Sequence, residues 1–287
     1  MTNFSFEAIG TNWDINIKED LSETREASLY KKILDRAEVF DKDYSRFRSD
    51  SLVTKISRES GKYKMPDDFG VMIELYKKVY GVSSGLVTPL VGDTLVSAGY
   101  DAAYSLKKGE MKRAEKWQEV LEWEKPFLYV KKPIVLDFGA CGKGYLVDII
   151  SELIESEGIK EYLVDGSGDM RHRGEDTIKI GLEHPGDATS VVGTVILKSK
   201  SLCGSAGNRR KWADMHHIVN PITLSSPSDI STVWVAAETT MLADILTTCL
   251  FFLSPTELKK HFDFEYVILK SDYTVEASNS PEIEIFI

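Results

Sequence analysis

Asp244 and Thr248 stand four residues apart inside the apolar run MLADILTTCL, residues 241–250. On a helix that spacing stacks a carboxylate above a hydroxyl on one face, so two hard oxygen donors aim at one point. Magnesium favours such donors and keeps positions for water or phosphate. With a backbone carbonyl from elsewhere, these side chains would make an open site ready for a nucleotide. The competing account is structural: Thr248 bonds back to the Asp244 carbonyl while Asp244 complements the helix dipole. Against it, the run is apolar on nearly every side, and a buried unpaired carboxylate is costly.

Three glycine-rich turns offer backbone to a ligand. Residues 137–145, DFGACGKGY, hold Gly139, Gly142 and Gly144 between a strand pattern and a helix pattern. There the chain can approach a ligand closely, and a helix start favours an anion. This is neither a Walker A loop, since Gly144 follows Lys143 where Ser or Thr is needed, nor GxGxxG. Tight strand-to-helix packing explains the glycines equally well. LVDGSGDM at 163–170 and SAGN at 205–208 are further turns, each alone an ordinary β-turn. His216 and His217 are adjacent, and in a strand they face opposite sides, so at most one enters a site. His217 can bind phosphate, act as general base, or be a satisfied structural histidine, and the residue types leave these open.

The elements that must position these groups follow from periodicity. A bent strand pattern covers residues 4–17, and Ser22 starts a helix reaching about Phe40. Helices are expected over 67–80 and 111–123. FLYVKK and IVLDFG then read as a hairpin around Lys131-Lys132-Pro133. After a helix over 145–157, strands are expected near 161–164, 170–173, 177–182, 191–198, 215–219 and 230–236. The Asp244 helix, a short helix at 257–261 and a strand at 266–270 close the chain. No repeat or long linker divides it. One α+β domain over 1–287 is expected, with a helix-rich lobe before about residue 125 and a sheet-rich lobe from 126.

A net charge of -10 with a pI near 5.1 argues against a nucleic-acid surface. Three cysteines without CxxC spacing read as reduced thiols. The first residues lack a signal-peptide pattern and no run of about 18 apolar residues occurs. No membrane segment is therefore expected, and the cytoplasm is the expected location.

In order and spacing, DFGACGKGYLVD, LVDGSGDMRHRG, SAGN, HHIVNP and TTMLADILTT resemble the ApbE family, the FAD:protein FMN transferases. Ile9-Gly10-Thr11 is similar to that family's opening Met-Gly-Thr, and YSRFRSDS at 44–51 to its Ser-x-aromatic segment. The resemblance covers essentially the whole chain. It implies an α+β fold of mixed or antiparallel sheets flanked by helices, with two lobes around a flavin-nucleotide site and magnesium on the FAD diphosphate. Such enzymes cleave FAD between its phosphates, attach FMN through a phosphoester to a Ser or Thr of an acceptor flavoprotein, and release AMP. By motif position the resemblance implies metal ligation by the Gly142 carbonyl and the Asp244 and Thr248 side chains, with Thr247 as an addition. It implies FAD contacts at Ile9, Phe47, Leu86, Val87, Thr88, Gly139, Tyr145 and Val219. His217 matches a histidine beside the phosphates and ranks ahead of Asp165 and Asp169 as the base.

The chain also departs from the family pattern. Gly85-Leu86-Val87-Thr88-Pro89-Leu90-Val91 is a shortened loop without the usual acid. Asn220-Pro221-Ile222-Thr223-Leu224 replaces Asp-Pro-x-Thr-Gly, losing an acid and a glycine, so the turn there can differ. Cys141 is either a redox-sensitive thiol, if exposed, or an inert buried one. Rival activities are a FAD pyrophosphatase giving FMN and AMP, a FAD-binding protein without turnover, and a structural domain in which the Asp244 helix is only core.

Overall fold

Alternation along the first residues produces a hairpin: β1 (Thr2–Ala8) and β2 (Thr11–Ile17) pair antiparallel, with Ala8 opposite Thr11. Ile9 and Gly10, both at positive φ (45° and 71°), make the two-residue turn. Trp13, Ile15 and Ile17 are fully buried, which fixes the face that points inward; each such side chain contributes about 1.5–3 kcal/mol. The computed structural model describes residues 1–208 and 210–286.

The chain continues through α1 (Glu23–Tyr44), α2 (Leu52–Ile56), β3 (Gly61–Lys64), α3 (Phe69–Val82), α4 (Gly92–Ser97), α5 (Trp117–Val120), β4 (Leu121–Glu124) and β5 (Phe127–Val130). Next come α6 (Gly142–Ser156), β6 (Tyr162–Asp165), β7 (Met170–Arg173), β8 (Ile178–His184), β9 (Asp187–Leu197), β10 (Ser201–Ala206), β11 (Lys211–Trp212) and β12 (Met215–His216). It closes with β13 (Ile230–Ala237), α7 (Thr240–Cys249), α8 (Pro255–Leu258), β14 (Glu265–Lys270), β15 (Val275–Ala277) and β16 (Ile283–Ile285).

Eight strands form one sheet in the order β1-β2-β6-β7-β10-β13-β14-β15, every neighbouring pair antiparallel. The period of two along β10 gives it two roles. Ser201 and Ser205 bond the α7 hydroxyls of Thr240 and Thr247, while Leu202 packs the opposite face with Leu182, Leu197, Trp234 and Leu269. The hairpin β8–β9 and strand β16 form a three-stranded sheet that contributes to that second core. A third sheet, β3-β5-β4, brings Trp123 against Phe69 at the start of α3. Although they precede residue 125, β1 and β2 belong to the large sheet with β6 and β7.

Two expectations fail for identifiable reasons. Residues 111–123 are not one helix. Only Trp117–Val120 is helical, because Trp123 lies opposite Leu128 in the β4–β5 hairpin, whose turn is Lys125-Pro126. IVLDFG is not a strand, although Ile134, Leu136 and Phe138 are buried in alternation as a strand requires. Its amides find other partners: Val135 N–H donates to the Asp93 carboxylate at 3.2 Å and Asp137 N–H to the Pro89 carbonyl at 2.8 Å. The strand expected over 215–219 ends at His216, and β15 and β16 follow the last strand expected.

Candidate active site

Helix α7 is fixed at its first turn. The Thr239 side chain accepts from Leu242 N–H, and the amides of Thr240 and Met241 donate to Asp148 of α6 at 2.9 and 2.8 Å. Asp148 in turn receives Arg171 at 2.6 Å. One turn further on, Asp244 is 6% exposed and its carboxylate accepts from Gly144 N–H at 3.0 Å. The helices meet so closely there that a Cβ on Gly144 would fall 2.4 Å from the Thr240 carbonyl oxygen and 2.8 Å from Asp244 Cβ. Burial first, and then the charge of Asp169, push the Asp244 carboxyl well above the usual carboxylate range; Lys143 opposes them. Lys143 Nζ itself lies 3.1 Å from Asp169 and donates to the Gly166 and Ser167 carbonyls at 2.8 and 3.1 Å.

The two adjacent threonines divide the roles foreseen for one. Thr247, fully buried, donates to the Asp244 carbonyl at 2.6 Å and meets Ser205 Oγ at 2.7 Å. The back-bond expected of Thr248 is thus made by Thr247. Thr248 lines a cavity, and its hydroxyl has no hydrogen-bond partner among the described residues. Gly142 lines a neighbouring cavity at the first turn of α6. Among the described residues no three His, Cys, Asp or Glu side chains gather into a metal-holding cluster. A cation here would therefore rest on one carboxylate with hydroxyl and carbonyl oxygens, a donor set that suits magnesium. The burial of Asp244, relieved only in part by the Gly144 amide and the Lys143 charge, fits that need.

Two cavities of about 120 and 170 Å³ adjoin. Phe47, Tyr100, Gly139 and Arg210 line both. The first also takes Leu86, Val87, Thr88, Val219, His217 and Thr248; the second takes Ile9, Arg46, Gly142 and Lys143. Each is smaller than a drug-sized ligand pocket, roughly 300–1,000 Å³. A ligand with two ends could occupy both through the shared waist. At the mouth, the exposed Tyr104 ring stacks on Phe47, centroids 5.2 Å apart.

The histidines separate as a strand end allows. His216 is buried and held, with Nε2 2.8 Å from the Pro227 carbonyl oxygen and Nδ1 accepting from Ile218 N–H. His217 faces the first cavity, and its Nδ1 is buried without a partner. Burial, then the charges of Arg210 and His216, push its pKa down to about 3, so the ring is neutral near pH 7.

The model of the ApbE family matches residues 9–267. The chain belongs to the ApbE family. A FAD:protein FMN transferase of Escherichia coli (strain K12) is 24% identical over 98% of this chain and 88% of its own length. One from Klebsiella pneumoniae (strain 342) is 22% identical over the same shares. Among solved structures, the ApbE protein of Thermotoga maritima superposes with a TM-score of 0.84 at 20% identity, covering 97% of each chain. The flavin transferase ApbE of Vibrio cholerae does so with a TM-score of 0.79 at 17% identity, again covering 97% of each. These likenesses fix the ApbE fold: antiparallel sheets with helices packed on them.

Within that ApbE fold, Tyr145 sits apart from the cavities. It is buried and its hydroxyl donates to the Asp68 carbonyl at 2.9 Å. Asp165, which accepts from Gly168 N–H, and Asp169 also lie off both cavity walls. Cys141 is fully buried and burial pushes its thiol up, so it is the inert alternative. Leu224 stands where the ApbE pattern has glycine and still holds φ +63°, while Asn220 Oδ1 accepts from Ile222 and Thr223 N–H. With these residues the turn is closed by Leu224 N–H donating to the Asn220 carbonyl at 2.9 Å. Arg210, Arg46, Tyr100 and Asp148 are the site-shaping residues that sequence reasoning missed. For Arg46 the signal was adjacency to Phe47.

Proposed function

We propose that this protein is a magnesium-dependent FAD:protein FMN transferase acting on a Ser or Thr hydroxyl of an acceptor flavoprotein. The observation that carries the reading is the meeting, on one cavity wall, of the unpartnered His217 Nδ1 and the unengaged Thr248 hydroxyl, one turn from the buried Asp244. Family membership and the names of the relatives support it.

Asp244, Thr248 and the Gly142 carbonyl would hold magnesium, which when bound neutralises charge on the diphosphate oxygens. The rest is positioning and proton handling by the chain. The acceptor oxygen forms a bond to the FMN phosphorus as the bridging P–O bond breaks. AMP leaves with the bridging oxygen and its electron pair. The acceptor's proton passes to neutral His217, whose weak basicity strengthens once an anionic diphosphate lies beside it. Leu86, Val87, Val219 and Phe252 give the cavity an apolar wall against water.

The test incubates the protein with FAD and magnesium, with and without a candidate acceptor. A protein-bound flavin with the mass of FMN and an equal amount of AMP is the expected result. Free FMN plus AMP regardless of acceptor would make the protein a pyrophosphatase. FAD binding that survives chelation without AMP release would make it a non-catalytic binder.

A further inference from the structure

Among the basic side chains on the two cavity walls, one guanidinium is unpaired and another is only partly satisfied. Lys143 is engaged by Asp169 and two carbonyls. Arg46, 9% exposed, pairs through Nε with Asp137 and donates from Nη1 to the Tyr100 carbonyl at 2.8 Å. Its guanidinium lies over the Phe47 and Tyr100 rings at 4.2 and 4.9 Å, and its Nη2 is buried with no partner. An orphaned buried donor is costly, and an arriving anion relieves it.

Arg210 lines both cavities, so it stands at the waist. It has no ion pair or side-chain hydrogen bond among the described residues. Its charge acts on both His217 and Tyr100, which themselves stand on those cavity walls. The acids on those walls are already paired, Asp41 with Arg48 and Asp137 with Arg46. In a chain of net charge -10, an anionic substrate is repelled at long range and needs local cations to settle.

We propose that Arg210, with Arg46 Nη2, forms an anion seat at the waist that holds the phosphate of the nucleoside monophosphate leaving group, apart from the oxygens around Asp244. The proposal rests on the transferase reading and names a positioning residue for it. Arg210 tethers the departing half of the dinucleotide while the oxygen donors of α7 serve the half that is transferred. Because Arg210 is exposed, replacing it leaves the core untouched.

The experiment measures AMP affinity by calorimetry on the intact protein without metal or FAD, for wild type, Arg210→Ala and Arg210→Lys. Melting temperatures verify the fold, and inorganic phosphate serves as a second probe. Arg210→Ala should weaken AMP roughly 10- to 100-fold, Arg210→Lys less, and wild-type binding should fall with salt. In turnover, KM for FAD should rise more than kcat falls. An Arg210→Ala protein that melts as wild type and binds AMP within about twofold of it overturns the seat. So does a wild type that does not bind AMP. If AMP binds and depends on Arg210 but no acceptor receives FMN, the seat stands and the transferase reading falls.

Discussion

Replacing Gly144 by alanine tests whether α6 and α7 hold Asp244 as described. The added Cβ would sit 2.4 Å from the Thr240 carbonyl oxygen and 2.8 Å from Asp244 Cβ, where ordinary contacts are 3.4–4 Å. Both neighbours belong to one rigid helix, so α7 must move. Overpacking of this kind costs about 1–3 kcal/mol, and losing the Gly144 N–H bond to a carboxylate about 1.5–3 more. A loss of about 2.5–6 kcal/mol follows if the bond breaks. With an unfolding entropy of about 2.1 cal/mol/K per residue over this chain, each kcal/mol lowers Tm by about 1.7 °C, giving a fall of roughly 4–10 °C. FMN transfer should fall about 100-fold, as expected when a reacting group shifts by about 1 Å. Gly142→Ala is the control: its Cβ would meet only Phe138 Cβ, at an ordinary 3.7 Å, so Tm should hold or rise slightly. Differential scanning calorimetry on the two variants decides the matter. If Gly144→Ala melts within about 1 °C of wild type, the close crossing is wrong and the placement of Asp244 goes with it.

Thr248→Val keeps shape and removes an oxygen that no group among the described residues uses, so melting should be unchanged while magnesium-dependent transfer drops about 10-fold or more; an unaltered rate removes Thr248 from the site. His217 titrates near 6.5 when unfolded but near 3 in the fold. Below about pH 6.5 the unfolded chain therefore takes up a proton that the native one refuses, and this group lowers stability by up to about 1.4 kcal/mol per pH unit down to about 3. His217→Gln should accordingly gain on wild type in Tm between pH 7 and 5 while losing transfer activity, and parallel Tm curves would contradict the buried neutral ring. Leu224→Gly relieves a side chain held at φ +63° and should raise Tm by about 1–2 °C, read by the same calorimetry; a fall would mean that Leu224 packing outweighs the strain.

Much of the frame was written in local patterns, because an amphipathic period or a glycine turn acts over a few neighbouring residues. The Asp244 helix belongs to this class, whereas the pattern over residues 4–17 reads as one bent strand where the structure turns a hairpin at Ile9-Gly10, and α6 starts at Gly142, ahead of the expected 145. The IVLDFG segment shows the limit: its side chains alternate as in a strand, yet the partners of its amides are Asp93 and Pro89, tens of residues upstream. Asp148 caps a helix that begins 92 residues later, and no local signal marks it. Thr247 and Thr248 are indistinguishable as letters; only the position of Ser205 across the helix decides which hydroxyl is consumed. Arg210 became visible only once two separate cavity walls were seen to share it.

The pairing of Asp148 with the first amides of α7 has a consequence for substrate choice. A helix start is commonly a ready anchor for phosphate, but here a resident carboxylate already fills it and Arg171 balances that carboxylate. Attraction for a charged ligand is thereby left to side chains of the cavity walls, above all the solvent-facing Arg210 guanidinium at the waist. Exchanging that single side chain should retune which leaving group the cleft prefers, without unsettling the helix that carries the reactive oxygens.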